Sequence, residues 1–419
     1  MLGMGLTQLA LVGTAGLLTV AALCWLTVRE PDRLIRKIIL GGFAAKLVGT
    51  AVYYRVIEDV YGFGDVTTYV YNGRRIAPII RAGVLPDEAR ETGTRFVEFL
   101  TGVVFAVVGP SEIAAYLVFS LLSFVGMLGF LKALQLAAPD ANHRRYALLL
   151  MFAPTMVYWT STIGKDAWLV FTLGVAAYGG ARALRGARFG YSLVALGVAG
   201  AGAVRPHMAA LFAVSLLVAY TVRQRDPDLR GSTAGWVVGL LLLGGGAMLA
   251  VTHFSDEMGQ GEVEQGSAVE RLRADTTEVF ESTDRNTRLG GSEFEGRTVR
   301  SPGDFLHALI TVPFRPFPTE AHNIQAQLSS LEGVLLLLLT LAAIPRLMRL
   351  PRSALRSPYL AFSAAFTLGF IFAFSNFSNF GLLARQRTQL LPFLLVMLAL
   401  PAWKKSDPKE RAPVLKIEV

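Results

Sequence analysis

Asp65 is a lone acid in the run Tyr61-Gly62-Phe63-Gly64-Asp65-Val66-Thr67-Thr68-Tyr69-Val70-Tyr71-Asn72-Gly73-Arg74-Arg75, which follows an apolar segment and opens a polar one. A positioned carboxylate of this kind can accept a proton from a hydroxyl. Glycines at 62 and 64 allow a sharp turn before it, and Asp65, Tyr69 and Arg75 then recur at roughly helical spacing, as in an amphipathic segment lying along a membrane.

Four other clusters carry cations suited to anions. Thr160-Ser161-Thr162-Ile163-Gly164-Lys165-Asp166-Ala167 is a Ser/Thr/Gly turn with a lysine opening a helix, which offers backbone N–H groups and a positive charge. It lacks the glycine spacing of a nucleotide P-loop, so ATP binding is rejected; the plainer alternative is a Lys-Asp pair at a helix end. Val204-Arg205-Pro206-His207 joins two short apolar runs, and a charge at that depth is costly unless it faces a polar cavity or lipid phosphates. In Pro313-Phe314-Arg315-Pro316-Phe317-Pro318, prolines on both sides hold Arg315 in a stiff, extended turn; Thr319 is expected to start a helix bearing Glu320 and His322 that runs on through Leu331–Ile344. In Ala384-Arg385-Gln386-Arg387-Thr388-Gln389, two arginines two residues apart cannot share a helix face, so one is expected to point to a cavity and the other to lipid or loop. Guanidinium groups hold phosphate in a bidentate manner, and the pair suits a diphosphate; anchoring at a helix start is the alternative.

The elements that must position these residues follow from composition. With 419 residues, 53% hydrophobic, only 17% charged and a mean hydropathy of +0.47, the chain reads as an all-α, polytopic integral membrane protein rather than a soluble enzyme. Apolar runs at 5–28, 38–57, 112–135, 146–161, 167–182, 190–204, 207–222, 233–253, 331–345, 358–375 and 386–402 predict about eleven transmembrane helices in one domain covering residues 1–419, several of them shorter than the roughly 20 residues of a straight span. The first run, with no small-residue cleavage site and no basic region before it, is expected to be an uncleaved helix. The single Cys24 forms no intramolecular disulfide. Only eight of the 40 basic residues are lysines, and the Arg, Ala and Gly bias fits a bacterial source.

Two polar stretches interrupt the spans. Residues 58–111 form a loop whose part from Phe96 to Val108, thirteen residues interrupted by Glu98, predicts a re-entrant or interfacial helix, with Ser111 capping the next span. Residues 254–330 form a long insert, hydrophilic over 254–303, of the kind that serves as a lid or binding loop. With the amino terminus outside and the carboxyl terminus in the cytoplasm, the short cytoplasmic pieces hold 22 of the 40 Lys/Arg and 8 of the 31 Asp/Glu. That is the positive-inside pattern of a cytoplasmic membrane protein, it accounts for the net charge of +9 without nucleic acid, and it puts every cluster above on the outer face.

The Gly-Asp turn after the second span, Ser-Thr-Ile-Gly-Lys-Asp-Ala, Arg-Pro-His, Arg-Pro-Phe-Pro-Thr-Glu-Ala-His-Asn and Ala-Arg-Gln-Arg-Thr-Gln-Leu-Leu-Pro-Phe together resemble multispanning bacterial envelope proteins linked to polysaccharide polymerases and to the GT-C glycosyltransferase superfamily. The resemblance implies a glycosyl-transferring enzyme at the outer face that uses polyprenyl-phosphate- or diphosphate-linked sugars. Asp65 would be the base toward an acceptor hydroxyl, with His207 and His322 as further candidates. Lys165, Arg205, Arg315, Arg385 and Arg387 would hold the leaving phosphate, and Tyr69, Arg75 and Glu320 would line the site. The usual second acid and metal-binding cluster are not evident, so no cofactor is assigned and a divalent metal stays open. Partners would be membrane lipid, the lipid-linked sugar and envelope-assembly proteins.

Two other classes remain. A transporter or flippase of lipid-linked precursors calls for ionisable pairs deep in several spans, and Lys46 is the only plain mid-span charge in the sequence. A non-catalytic scaffold of an envelope-assembly complex would explain the hydrophobicity but not the gathering of Arg, Lys, His and Asp on one face.

Overall fold

The computed structural model describes residues 30–57, 59, 64–222, 301–321, 324–375 and 379–400. The expected spans at 5–28 and 233–253, His322, most of the 254–330 insert and both termini lie outside the described residues.

Among the described residues the fold is all helical. The helices are α1 (Arg33–Val56), α2 (Asp65–Arg81), α3 (Thr94–Val108), α4 (Glu112–Ala137), α5 (His143–Phe152), α6 (Pro154–Tyr158), α7 (Lys165–Leu184), α8 (Gly190–Gly202), α9 (Pro206–Val222), α10 (Pro302–Phe314), α11 (Ile324–Leu347), α12 (Leu350–Ala354), α13 (Pro358–Ala373) and α14 (Phe380–Leu398), with 3-10 turns at Asp87–Ala89 and Pro318–Glu320.

Three of these, Glu112–Ala137, Lys165–Leu184 and the Gln325–Leu347 part of α11, are long and apolar enough to cross a membrane. The expectation of about eleven spans is therefore not met among the described residues. Helices α8, α9 and α13, with 13, 17 and 16 residues, are apolar but short, and α1 carries Arg33, Arg36, Lys37, Lys46 and Arg55 along its length. The run 146–161 is not one helix. Pro154 has no N–H to continue the ladder of α5, so the chain breaks at Ala153 and restarts as the short α6 with proline in its first turn. Similarly, no helix starts at Thr319: the 3-10 turn ends at Glu320 and α11 begins at Ile324.

The polar stretch before α4 folds as a pair of helices, α2 and α3. They meet where Gly73 and Gly102 leave no side chain between them, and Arg81 ties them by donating to the Phe105 and Ala106 carbonyls at 2.5 and 3.0 Å. Glu98 is tolerated within apolar α3 because Asn72 donates to it at 2.8 Å and Arg95 pairs with it at 3.4 Å. Ser111 caps α4 through the Ala114 N–H, as expected.

The core is centred on α14, whose Phe393 is buried against Phe130 of α4, Phe212 of α9 and Phe362 and Phe366 of α13, with ring centroids 5.4, 6.3, 5.3 and 3.9 Å away. Helices α4 and α7 approach backbone to backbone at Gly126 and Gly174, where a methyl on either residue would collide with main-chain atoms of the other helix.

The helices give the bundle two polar ends. At one, Lys132 near the end of α4 pairs with Glu30 at 2.5 Å, Arg144 with Asp32 at 2.7 Å, and the Asn142 N–H reaches the Ala399 carbonyl at the foot of α14. At the other, the heads of α2, α7 and α14 and the α8–α9 turn come together. Segments grouped on one side by charge in the sequence, 29–37, 132–145 and 346–357, meet at the first end, where Arg346 also donates to the Leu400 carbonyl.

Candidate functional site

Asp166, in the first turn of α7, organises the second end. Its side chain is 1% exposed, and a carboxylate in a first turn is favoured by the helix dipole. A carboxylate this deep must be fully paired. Arg385 donates to it through Nε, Arg205 lies 3.3 Å away through Nη1, and Gln389 donates to it at 3.4 Å. Arg205 also donates to Gln386 Oε1, which accepts a second bond from Gln389 at 3.0 Å. From the other side of its guanidinium, Arg385 Nη1 reaches Asp65 Oδ2 at 3.1 Å. One connected network thus runs from Asp65 through Arg385, Asp166 and Arg205 to Gln386 and Gln389.

Its positions are set by elements far apart in sequence. Asp65 is the first residue of α2 and its side chain is 61% exposed, so it stands at the mouth. Arg205 lies in the turn between α8 and α9. This turn is anchored by the Gly93 N–H, which donates to the Ala203 carbonyl at 2.9 Å; Gly93 has a φ of 70°, a conformation that favours glycine. The turn before α7 is braced by Lys46 from inside the bundle, whose ammonium donates to the Thr160 hydroxyl and carbonyl at 2.6 and 2.8 Å and to the Met156 carbonyl at 3.3 Å. Ser123 of α4 adds a bond to the same Thr160 carbonyl at 2.7 Å.

Lys165 adjoins the network. It is within Coulomb range of Arg205, Arg385, Asp65 and Asp166, and among the described residues neither acid forms an ion pair with it. Three cations then face two carboxylates, leaving one positive charge in excess. Tyr69, one turn beyond Asp65, is buried; burial first, and the Asp65 charge second, push its phenol up, so it stays protonated as a donor.

The remaining candidates lie elsewhere. Arg387 points away from Asp65 as its spacing requires, but into protein rather than toward lipid or loop. It is fully buried, donates to the Ser329 carbonyl at 3.2 Å and to the Arg315 carbonyl, and lies 3.9 Å from Glu332. Arg315 pairs with Glu320 at 3.1 Å. The two arginines at the head of α14 therefore do not form one diphosphate clamp, and Arg315 belongs with Arg387. Arg75 is exposed and meets Asn72 at 3.5 Å. The His207 ring sits 6.0 Å from that of Phe374.

Three participants escaped sequence reasoning. Asp166 enters the sequence reading only as half of a Lys-Asp pair at a helix end, and Gln386 and Gln389 have no role in it. The signal available was the spacing of Arg385 and Gln389, which share one face of α14. Glu332 was also overlooked inside an apolar helix, and it makes Lys46 no longer the lone charge among such segments. Among the described residues no group of three His, Cys, Asp or Glu side chains is placed to hold a metal ion.

Searches against known protein families, curated proteins and solved structures find no match for this chain.

Proposed function

We propose that this chain is a membrane enzyme that transfers a glycosyl group from a polyprenyl-phosphate- or diphosphate-linked sugar, at the membrane face bearing Asp65, in the manner of the GT-C transferases and polysaccharide polymerases. The observation that carries the reading is the 3.1 Å link between Asp65 and Arg385, across 320 positions of sequence, in a network that also holds Arg205 and adjoins Lys165. An exposed carboxylate beside a surplus of cations is what a transfer from a phosphate leaving group needs.

In that reaction the acceptor hydroxyl oxygen attacks the anomeric carbon while the bond from that carbon to the phosphate oxygen breaks. The bonding pair leaves with the phosphate, whose growing negative charge meets Lys165, Arg205 and Arg385, and the hydroxyl proton passes to the Asp65 carboxylate. Asp166 fixes the two arginines, Gln386 and Gln389 hold Arg205 and Asp166 in register, and Tyr69 is available to donate to a sugar oxygen.

The test is transfer by purified protein in proteoliposomes supplied with a polyprenyl-diphosphate oligosaccharide. Chain extension is expected from the wild type and loss of it from Asp65→Asn; no extension, or full extension by Asp65→Asn, overturns the reading. The topology is tested by labelling Ser406→Cys, which is expected to react only from the cytoplasmic side. A second reading, translocation of a lipid-linked precursor, is favoured by the buried Glu332–Arg387 pair, since ionisable pairs deep between helices are characteristic of transport pathways. Movement of a fluorescent lipid-linked sugar across the bilayer without chain extension would select it.

A further inference from the structure

We propose that Asp65 is a built-in occupant of the phosphate seat: its carboxylate sits on Arg385 where a substrate phosphate binds, and arrival of that phosphate displaces Asp65 and frees it to act on the acceptor. This rests on the glycosyl-transfer reading only for what the freed carboxylate does next.

The network has one exchangeable joint. The Arg385–Asp166 and Arg205–Asp166 contacts involve an acid that is 1% exposed, whereas the Arg385–Asp65 pair is formed by an acid that is 61% exposed. Exposed pairs are weak and trade readily for another anion. Releasing Asp65 leaves its helix intact, because the side chain caps nothing: Gly64 is the N-cap of α2, with no side-chain cap bond, and the first turn is closed instead by Thr67, whose N–H and hydroxyl both donate to the Gly64 carbonyl, at 3.1 and 2.6 Å.

Solvent reaches both members of the Arg385–Asp65 pair, the Arg385 side chain being 21% exposed. Arg385 commits Nε to Asp166, so the exchange involves Nη1 with Nη2 beside it, an edge suited to two oxygens of one phosphate. The space beside Nη2 is bordered by bare backbone at Gly164, where a methyl would lie 3.8 Å from it; the space beside Lys165 Nζ is likewise bordered by Gly93, at 3.9 Å. Charge accounts for the direction of exchange. With Asp65 seated the cluster has one positive charge in excess; with Asp65 displaced, Lys165, Arg205 and Arg385 face Asp166 alone and the excess is two, a match for a phosphate of charge near −2.

The experiment measures pyrophosphate binding to the full-length protein in nanodiscs by calorimetry at fixed ionic strength. Asp65→Asn is expected to bind pyrophosphate about tenfold more tightly than the wild type, because a competing anion has gone. In an Arg385→Ala background the same substitution is expected to change affinity less than about twofold, and so is Asp59→Asn, an exposed acid paired with Arg55 rather than with the seat. If Arg385→Ala does not yield folded protein, Arg385→Lys serves, since it keeps a charge for Asp166 but lacks the fork. Unchanged or weaker binding by Asp65→Asn, a gain that persists without the arginine, or no pyrophosphate binding by any variant overturns the proposal. Tightening without chain extension by the wild type leaves the seat standing and removes the glycosyl-transfer reading; extension without tightening does the reverse.

Discussion

Arg385 and Arg387 sit two residues apart on one helix, and their surroundings are opposite in kind. Arg385 bridges a buried acid and an exposed one, in a neighbourhood with a cation to spare and an open mouth. Arg387 is sealed in, held by two carbonyls and facing Glu332, which in turn accepts from the Thr155 N–H at 3.0 Å and from its hydroxyl. Both regions bury charge, but only the first can exchange a partner with solvent. The lesson is that arginine content at one end of the bundle does not measure the size of the binding site. Two of the candidate cations, Arg315 and Arg387, belong instead to the packing of α6, α10, α11 and α14.

The largest effect that would sharpen this contrast is on the sealed side. Arg387→Ala leaves the Glu332 carboxylate buried without its cation, and the expected loss is about 3–5 kcal/mol, seen as failure to accumulate or a strongly lowered thermal midpoint in detergent. A variant as stable as the wild type would erase the distinction. Next is the brace beneath the open side. Lys46→Met keeps the bulk but removes three bonds from a charged donor to the turn before α7, while the Thr160 and Met156 carbonyls keep Ser123 and the Thr160 hydroxyl as donors, and it should cost about 1–3 kcal/mol together with weaker anion binding. A stability loss with unaltered binding would show that the brace does not position Asp166. Asp65→Asn is expected to change stability by no more than about 1 kcal/mol, because the pair it breaks is exposed. Chain extension should nevertheless fall about 10²- to 10⁴-fold if Asp65 is the base. Smallest of all, Arg75→Ala should move stability by less than about 0.5 kcal/mol and leave extension unaltered, since it touches only Asn72.

These residues also show what sequence can and cannot disclose. The opposed faces of Arg385 and Arg387 follow from a helical period of 3.6, and the cap at Ser111 follows from its chemistry, so both were legible. Which face meets the open seat depends on where α7 and α11 lie, and no local pattern encodes that. Asp166 illustrates the same gap: beside Lys165 it looks like half of a local pair, and only packing reveals that two arginines from 39 and 219 positions away converge on it. The break at Pro154 was legible and overlooked, because summed hydropathy outweighed the missing N–H. Among the described residues only three helices are long and apolar enough to span, for a related reason. Apolar runs of 13 to 17 residues are also what short helices within a bundle look like.

The network of Asp166 is built from residues that leave the ribosome at very different times. Asp65, Asp166 and Arg205 are made early, while Arg385, Gln386 and Gln389 arrive with α14, the last helix described. Until α14 is inserted, Asp166 keeps Arg205 as its ion-pair partner and lacks Arg385 and Gln389. A chain stalled or clipped before Arg385 therefore holds Asp65 and Asp166 with no guanidinium to bridge them.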